Sequence, residues 1–206
     1  MVPTFESSAQ ILALTAVAAY LLGSIPFGLV MARVFGLGDI RQIGSGNIGA
    51  TNVLRTGNKP AAALTLVLDA AKGGIAVLIA RAVFAEDAAQ LAGFMAFLGH
   101  CFPIFLGFKG GKGVATFLGT LLALFWPAGL AACLTWLIVA AISRISSLSA
   151  LVAALFAPVW IVVLGMPGAG LVTALLAAII FSRHQQNIQR ISAGTEPKIS
   201  RKKPEV

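Results

Sequence analysis

The chain has 206 residues, 58% of them hydrophobic and 11% charged, with a formal net charge of +8. A soluble domain carries about 25% charged residues, so this composition cannot cover a water-facing surface and reads as an integral membrane protein. So basic a chain suggests nucleic-acid binding, but its Lys and Arg residues lie in connections between apolar runs, with no soluble domain to hold them. They fit instead the positive bias of cytoplasmic loops.

The first apolar run, Ala9–Phe35, follows Glu6 with no basic segment ahead of it, so it is expected to stay as a spanning helix rather than act as a cleaved signal. Pro26, within Gly23-Ser24-Ile25-Pro26-Phe27-Gly28, is expected to kink it. Six further apolar runs follow: Ala61–Phe84, Ala88–Leu106, Val114–Phe125, Ala128–Ile142, Ser149–Leu164 and Gly168–Phe181. A bilayer takes about 20 apolar residues per crossing. The fourth run is short for that and suits a bent or re-entrant element. The expectation is an all-α polytopic membrane protein of about seven transmembrane helices, residues 1–206 forming one domain with a flexible basic tail over 192–206.

Loop charge orients it. With the N-terminus outside and the C-terminus cytoplasmic, every basic residue except Lys72 and Arg81 falls on the cytoplasmic side, while Glu6, Glu86 and Asp87 fall outside. Asp69 and Lys72, three apart on the second helix, are close enough to pair; an ion pair that orders helices and a direct substrate role both fit. Cys101 and Cys133 imply no disulfide framework, and two histidines make a His-based metal site unexpected. No metal or cofactor is expected.

Three polar clusters interrupt the apolar chain, and this topology puts all three at the cytoplasmic face. The first runs from Gly44 to Asn52, and its candidate ligands are Ser45, Gly46, Asn47, Gly49 and Asn52, with Arg55 just beyond. It matches G-x-G-x-x-G, and Asp69 stands where a dinucleotide fold would place its ribose acid. The motif nevertheless follows a membrane helix rather than a strand, so the nucleotide reading fails. A tight glycine turn beside an arginine able to grip a phosphate remains; an ordinary turn beside an orienting arginine is the plainer alternative.

The second cluster, Lys109-Gly110-Gly111-Lys112-Gly113, is no P-loop: Gly113 replaces the Ser or Thr after the lysine, and Leu106 stands at the first glycine's place. It opens a helix at Val114, whose first N–H groups and dipole would favour an anion. The third cluster, Arg183-His184-Gln185-Gln186-Asn187, puts His184 and Asn187 on one helical face. Ser146, Ser147 and Ser149 follow Arg144 in another cytoplasmic loop, as helix caps or as a phosphate hydroxyl. His100, before Cys101-Phe102-Pro103, reads as a buried, hydrogen-bonded histidine. The His-x-x-x-x-Asp pattern of soluble-type glycerolipid acyltransferases is absent, because Phe105 and Gln189 occupy the fifth place after His100 and His184. Lys198 and Arg201-Lys202-Lys203 suit attraction to anionic lipid.

Together these motifs, with Gly99-His100-Cys101-Phe102-Pro103 and Phe108 to Ala115, resemble the bacterial acyl-phosphate:glycerol-3-phosphate acyltransferases, in order and over nearly the whole chain. The resemblance implies an inner-membrane enzyme that moves an acyl group from acyl phosphate to the first hydroxyl of sn-glycerol 3-phosphate, giving lysophosphatidic acid and phosphate. It implies catalytic or substrate-binding roles for Ser45, Arg55, Lys112, Ser147, His184 and Asn187. Lys109, Gly110, Gly111 and Gly113 complete the expected phosphate-binding set. Gln185 stands where relatives often carry arginine. The partners implied are the two substrates, membrane lipid and the soluble enzyme that makes acyl phosphate; no nucleic acid is expected. The mixed anhydride is already activated, so no covalent acyl-enzyme is needed. An organic-phosphate transporter is the competing class, since transporters also use glycine-rich breaks, but no internal repeat appears.

Overall fold

A computed structural model describes residues 2–199. The basic run Arg201-Lys202-Lys203 lies outside them. The described residues are helical throughout their ordered elements. The first apolar run is two helices, α1 (Ala9–Gly23) and α2 (Phe27–Val34), separated at Ser24 to Pro26. Proline therefore interrupts the helix rather than bending it, because it cannot donate a backbone N–H.

A short helix, α3 (Ala50–Leu54), lies in the connection to the long α4 (Lys59–Val83). Asn58 caps α4, its side chain accepting the Ala61 N–H at 2.9 Å. Then come α5 (Glu86–Cys101), α6 (Val114–Leu124), α7 (Trp126–Ser143), α8 (Ser146–Val163), α9 (Gly170–Arg183) and α10 (Gln185–Ser192).

All seven apolar runs form helices. Five segments are long and apolar enough to cross a membrane, and α9 with α10, bent by 63°, makes a sixth. The seventh, α6, has 11 residues. At 1.5 Å per residue it is about 16 Å long, half of a bilayer core of about 30 Å.

The bundle is built as lipid demands. Leu64, Val67, Leu78 and Ile79 of α4 are exposed, while Thr65, Asp69 and Lys72 of the same helix are buried. Small residues let the backbones approach. A Cβ on Gly119 of α6 would lie 2.1 Å from the Ala70 carbonyl oxygen of α4. Between α1 and α5, a Cβ on Gly23 would lie 2.0 Å from the Ala96 carbonyl oxygen. The expected Asp69–Lys72 pair is present and buried, with Nζ to Oδ1 at 2.9 Å. Lys72 also donates to the Ile25 carbonyl at the α1–α2 break, 2.9 Å away.

Candidate active site

The three polar clusters gather at the N-terminal end of α6. A cavity of about 920 Å³ runs inward from there. Ser45, Asn47, Gly49, Asn52, Arg55, Lys112, Gly113, Ser147, His184 and Asn187 line its polar end; Leu66, Leu118, Cys133, Trp136 and Leu137 line the apolar part. A second cavity of about 300 Å³ adjoins it, walled by Ser45, Gly46, Asn47, Gly110, Lys112, Arg183, Gln185 and Asn187 among others. Ser45, Asn47, Lys112 and Asn187 belong to both walls.

The first cluster is organised around buried Asn52. Its Nδ2 donates to the Ile40 carbonyl at 2.7 Å. Its Oδ1 accepts from the Ser45 backbone N–H at 3.2 Å and from Arg55 Nη1 at 3.3 Å. Asn52 was expected to bind phosphate; instead its amide is used within the turn to hold Ser45 and Arg55. Gly44 adopts a φ of +57°, and a Cβ there would lie 2.5 Å from Asn52 Oδ1. That position needs glycine for both reasons.

The lysine loop corrects a second expectation. Gly110 and Gly111 were read as supplying bare N–H groups. Gly110 N–H donates to the Cys101 carbonyl at 3.2 Å, and Gly111 N–H to the His100 carbonyl at 3.1 Å. These glycines bring the loop against α5. Gly111 lines neither cavity, and Lys109 is exposed and also lines neither. Lys112 does reach the site, where its Nζ donates to Asn187 Oδ1. Burial, with Arg190 adding to it, pushes the Lys112 ammonium down to about 8. Arg183 binds the loop, its guanidinium donating to the Gly110 and Gly111 carbonyls at 3.0 and 3.2 Å.

His184 is buried at the α9–α10 bend. Its Nδ1 lies 2.8 Å from the Ile180 carbonyl oxygen. A carbonyl only accepts, so Nδ1 carries the proton and Nε2 keeps its lone pair.

One member escaped the sequence reading. Residues 193–199, expected to begin a free tail, fold back to the site, and the Ile199 N–H reaches the Arg144 carbonyl at 2.6 Å. The Glu196 carboxylate accepts from Ser147 Oγ at 2.6 Å, from Arg190 Nε at 2.7 Å and from Asn187 Nδ2. Burial works against its charge, but these donors outweigh that and hold the carboxyl below its usual range. Of the two adjacent serines, Ser147 takes this role, while Ser146 pairs with Thr51 across the cavity mouth at 3.3 Å. The only signal for Glu196 was an acid, one of two with Glu205, in an otherwise basic tail. Among the described residues no three His, Cys, Asp or Glu side chains gather as a metal site.

The glycerol-3-phosphate acyltransferase family model matches residues 13–194. The chain belongs to the glycerol-3-phosphate acyltransferase family. It is accordingly an acyltransferase. A glycerol-3-phosphate acyltransferase of Jannaschia sp. (strain CCS1) is 69% identical over 201 residues, covering 98% of this chain and 99% of the relative. One from Cereibacter sphaeroides (strain ATCC 17025 / ATH 2.4.3) is 65% identical over 200 residues, covering 97% and 95%. Among solved structures, the glycerol 3-phosphate form of PlsY (YgiH), an integral membrane glycerol 3-phosphate acyltransferase, superposes with a TM-score of 0.86 at 40% identity, covering 91% of this chain and 94% of that one. Its lysophosphatidic acid form gives 0.83 at 38% identity, with the same coverage.

Proposed function

We propose that this acyltransferase moves the acyl group of acyl phosphate directly to the sn-1 hydroxyl of glycerol 3-phosphate, at the cytoplasmic face of a bacterial inner membrane. The observation that carries this reading is the meeting of two unlike cavities at Lys112. The larger has a long apolar wall suited to the chain of a lipid-borne donor. The smaller is polar and suits a water-soluble phosphate ester. Lys112, shared by both, stands where the donor's phosphate and the acceptor would meet, with Ser45, Asn47 and Asn187 around it.

The acceptor hydroxyl attacks the carbonyl carbon. A C–O bond forms to the glycerol oxygen, and the bond from the carbonyl carbon to the phosphate oxygen breaks. Phosphate leaves with the electron pair. Lys112 and Arg55 offset the charge that builds on the oxyanion and the departing phosphate. Orientation of the two substrates supplies about 7–11 kcal/mol at best. The neutral Nε2 of His184 accepts the hydroxyl hydrogen bond, and the proton passes to it or to a phosphate oxygen, whose second pKa is about 6.

The test is acyl transfer to radiolabelled sn-glycerol 3-phosphate by the purified protein in lipid. Palmitoyl phosphate and palmitoyl-CoA are compared, with Lys112→Ala alongside. Labelled lysophosphatidate from palmitoyl phosphate, absent in the variant, is expected. Product from palmitoyl-CoA alone would overturn the donor assignment.

A further inference from the structure

Asp69, Lys72 and His100 are buried ionisable groups within membrane-crossing helices, and the reaction as derived uses none of them. Such groups are costly in lipid and are kept where they serve a site. A buried ion pair is also weak evidence of stabilisation, because desolvation offsets its attraction. Their geometry leads to the lysine loop. Asp69 Oδ1 lies 2.9 Å from Lys72 Nζ and 3.5 Å from His100 Nδ1. The opposite edge of the same imidazole faces Gly111, where a Cβ would sit 2.2 Å from Nε2 and 3.0 Å from the two neighbouring ring carbons. Gly111 immediately precedes Lys112.

The loop is held from two directions. His100 packs against it from α5, while Arg183 holds the Gly110 and Gly111 carbonyls and lies over the Phe102 ring, 5.2 Å from its centroid. Asp69 is fixed in turn, since its backbone carbonyl accepts from Thr116 Oγ1 of α6 at 2.8 Å. Asp69 and Gly111 thus flank one imidazole, while Lys72 and Thr116 tie Asp69 to the α1–α2 break and to α6.

We propose that His100, tied by Asp69, is a positioning residue for acyl transfer: its ring is the seat of Gly111 and so fixes where Lys112 stands between the two cavities. The proposal rests on Lys112 acting on the substrates, and Lys112→Ala tests that separately. An ion pair that merely joins helices has no reason to couple to a loop glycine. The seat does, because Gly111 and His100 occupy adjoining space.

The experiment is a double-mutant cycle on the full-length protein in lipid, with kcat and KM for glycerol 3-phosphate measured for His100→Asn, Gly111→Ala and the pair. Asparagine keeps a donor toward Asp69 and removes the ring edge that Gly111 rests on. Each single variant is expected to lose about 100-fold in kcat/KM, the cost of displacing a reacting group by about 1 Å. The double variant is expected to be no worse than the worse single, since the methyl then meets no ring. The thermal unfolding midpoint of His100→Asn should stay at the wild-type value. Losses that multiply, or wild-type kinetics in His100→Asn, would overturn the proposal. If His100→Asn does not fold, the cycle is run with His100→Ser, which likewise leaves nothing at the Nε2 position, and the same two outcomes decide. Full activity in Lys112→Ala would instead sink the assignment of Lys112 and leave the His100–Gly111 coupling to be read from the cycle alone.

Discussion

At the scale of single residues, the site works through charges that are buried or held. Lys112 is charged below about 8 and loses its proton above it. Because kcat/KM reports the free enzyme, kcat/KM for glycerol 3-phosphate is expected to fall as pH rises past about 8. Lys112→Arg keeps its charge to far higher pH and should move that fall upward. His184→Ala removes the neutral acceptor, and general-base loss is worth about 10²–10⁴-fold. If the proton goes mainly to phosphate, kcat should drop by less than this while KM rises. Glu196→Ala leaves Ser147, Asn187 and Arg190 without their common acceptor. Hydrogen bonds to charged groups are worth about 1.5–3 kcal/mol each, so a lower unfolding midpoint and at least a tenfold loss of kcat/KM are expected, with Glu196→Gln between.

The residues legible in sequence were those whose surroundings are local. Ser45, Arg55, Lys112, His184 and Asn187 announce themselves as polar groups beside glycines or amides in an apolar chain, and all line the main cavity. Glu196 does not, because its partners come from α8 and α10 and only the fold gathers them. Gly110 and Gly111 were misread for a physical reason. A glycine beside a lysine suits a phosphate held by N–H groups and equally suits a backbone pressed against a helix. Only the destination of the N–H groups decides, and here it is the carbonyls of Cys101 and His100.

At the scale of elements, hydropathy located every apolar helix but not its depth. The run Val114–Phe125 reads as a bent or re-entrant element too short to cross alone; it is a helix of 11 residues whose Val114, Ala115 and Leu118 line the cavity. Its seam with α4 is set by Gly119 against Ala70. Gly119→Leu is expected to cost about 1–3 kcal/mol or more by overpacking, read as a lower unfolding midpoint in detergent. Pro26 was placed correctly as a disruption, and its consequence was invisible in sequence: at the break the Ile25 carbonyl, which takes the Phe27 N–H at 3.1 Å, is also the acceptor for Lys72.

At the scale of the molecule, the proposed reaction divides its two substrates between the chambers by solubility. Ala115 is half-buried on the wall of the larger one. Ala115→Phe should shorten the space for a chain and shift preference from palmitoyl toward decanoyl phosphate. A misfit of one methylene alone is worth about 1–3 kcal/mol, so a shift of about tenfold or more in the ratio of kcat/KM values is expected.

The shared wall also dictates how a turnover ends. Before reaction the chain belongs to one molecule and the glycerol phosphate to another. In the proposed reaction a single molecule afterwards threads both rooms, its tail in the apolar chamber and its headgroup in the polar one. Lysophosphatidate should therefore exclude either substrate and inhibit competitively against each, whereas inorganic phosphate, freed at the junction, leaves without a tail to anchor it. With acyl phosphate as the proposed donor, the enzyme would hand its product to the membrane and release the leaving group to water.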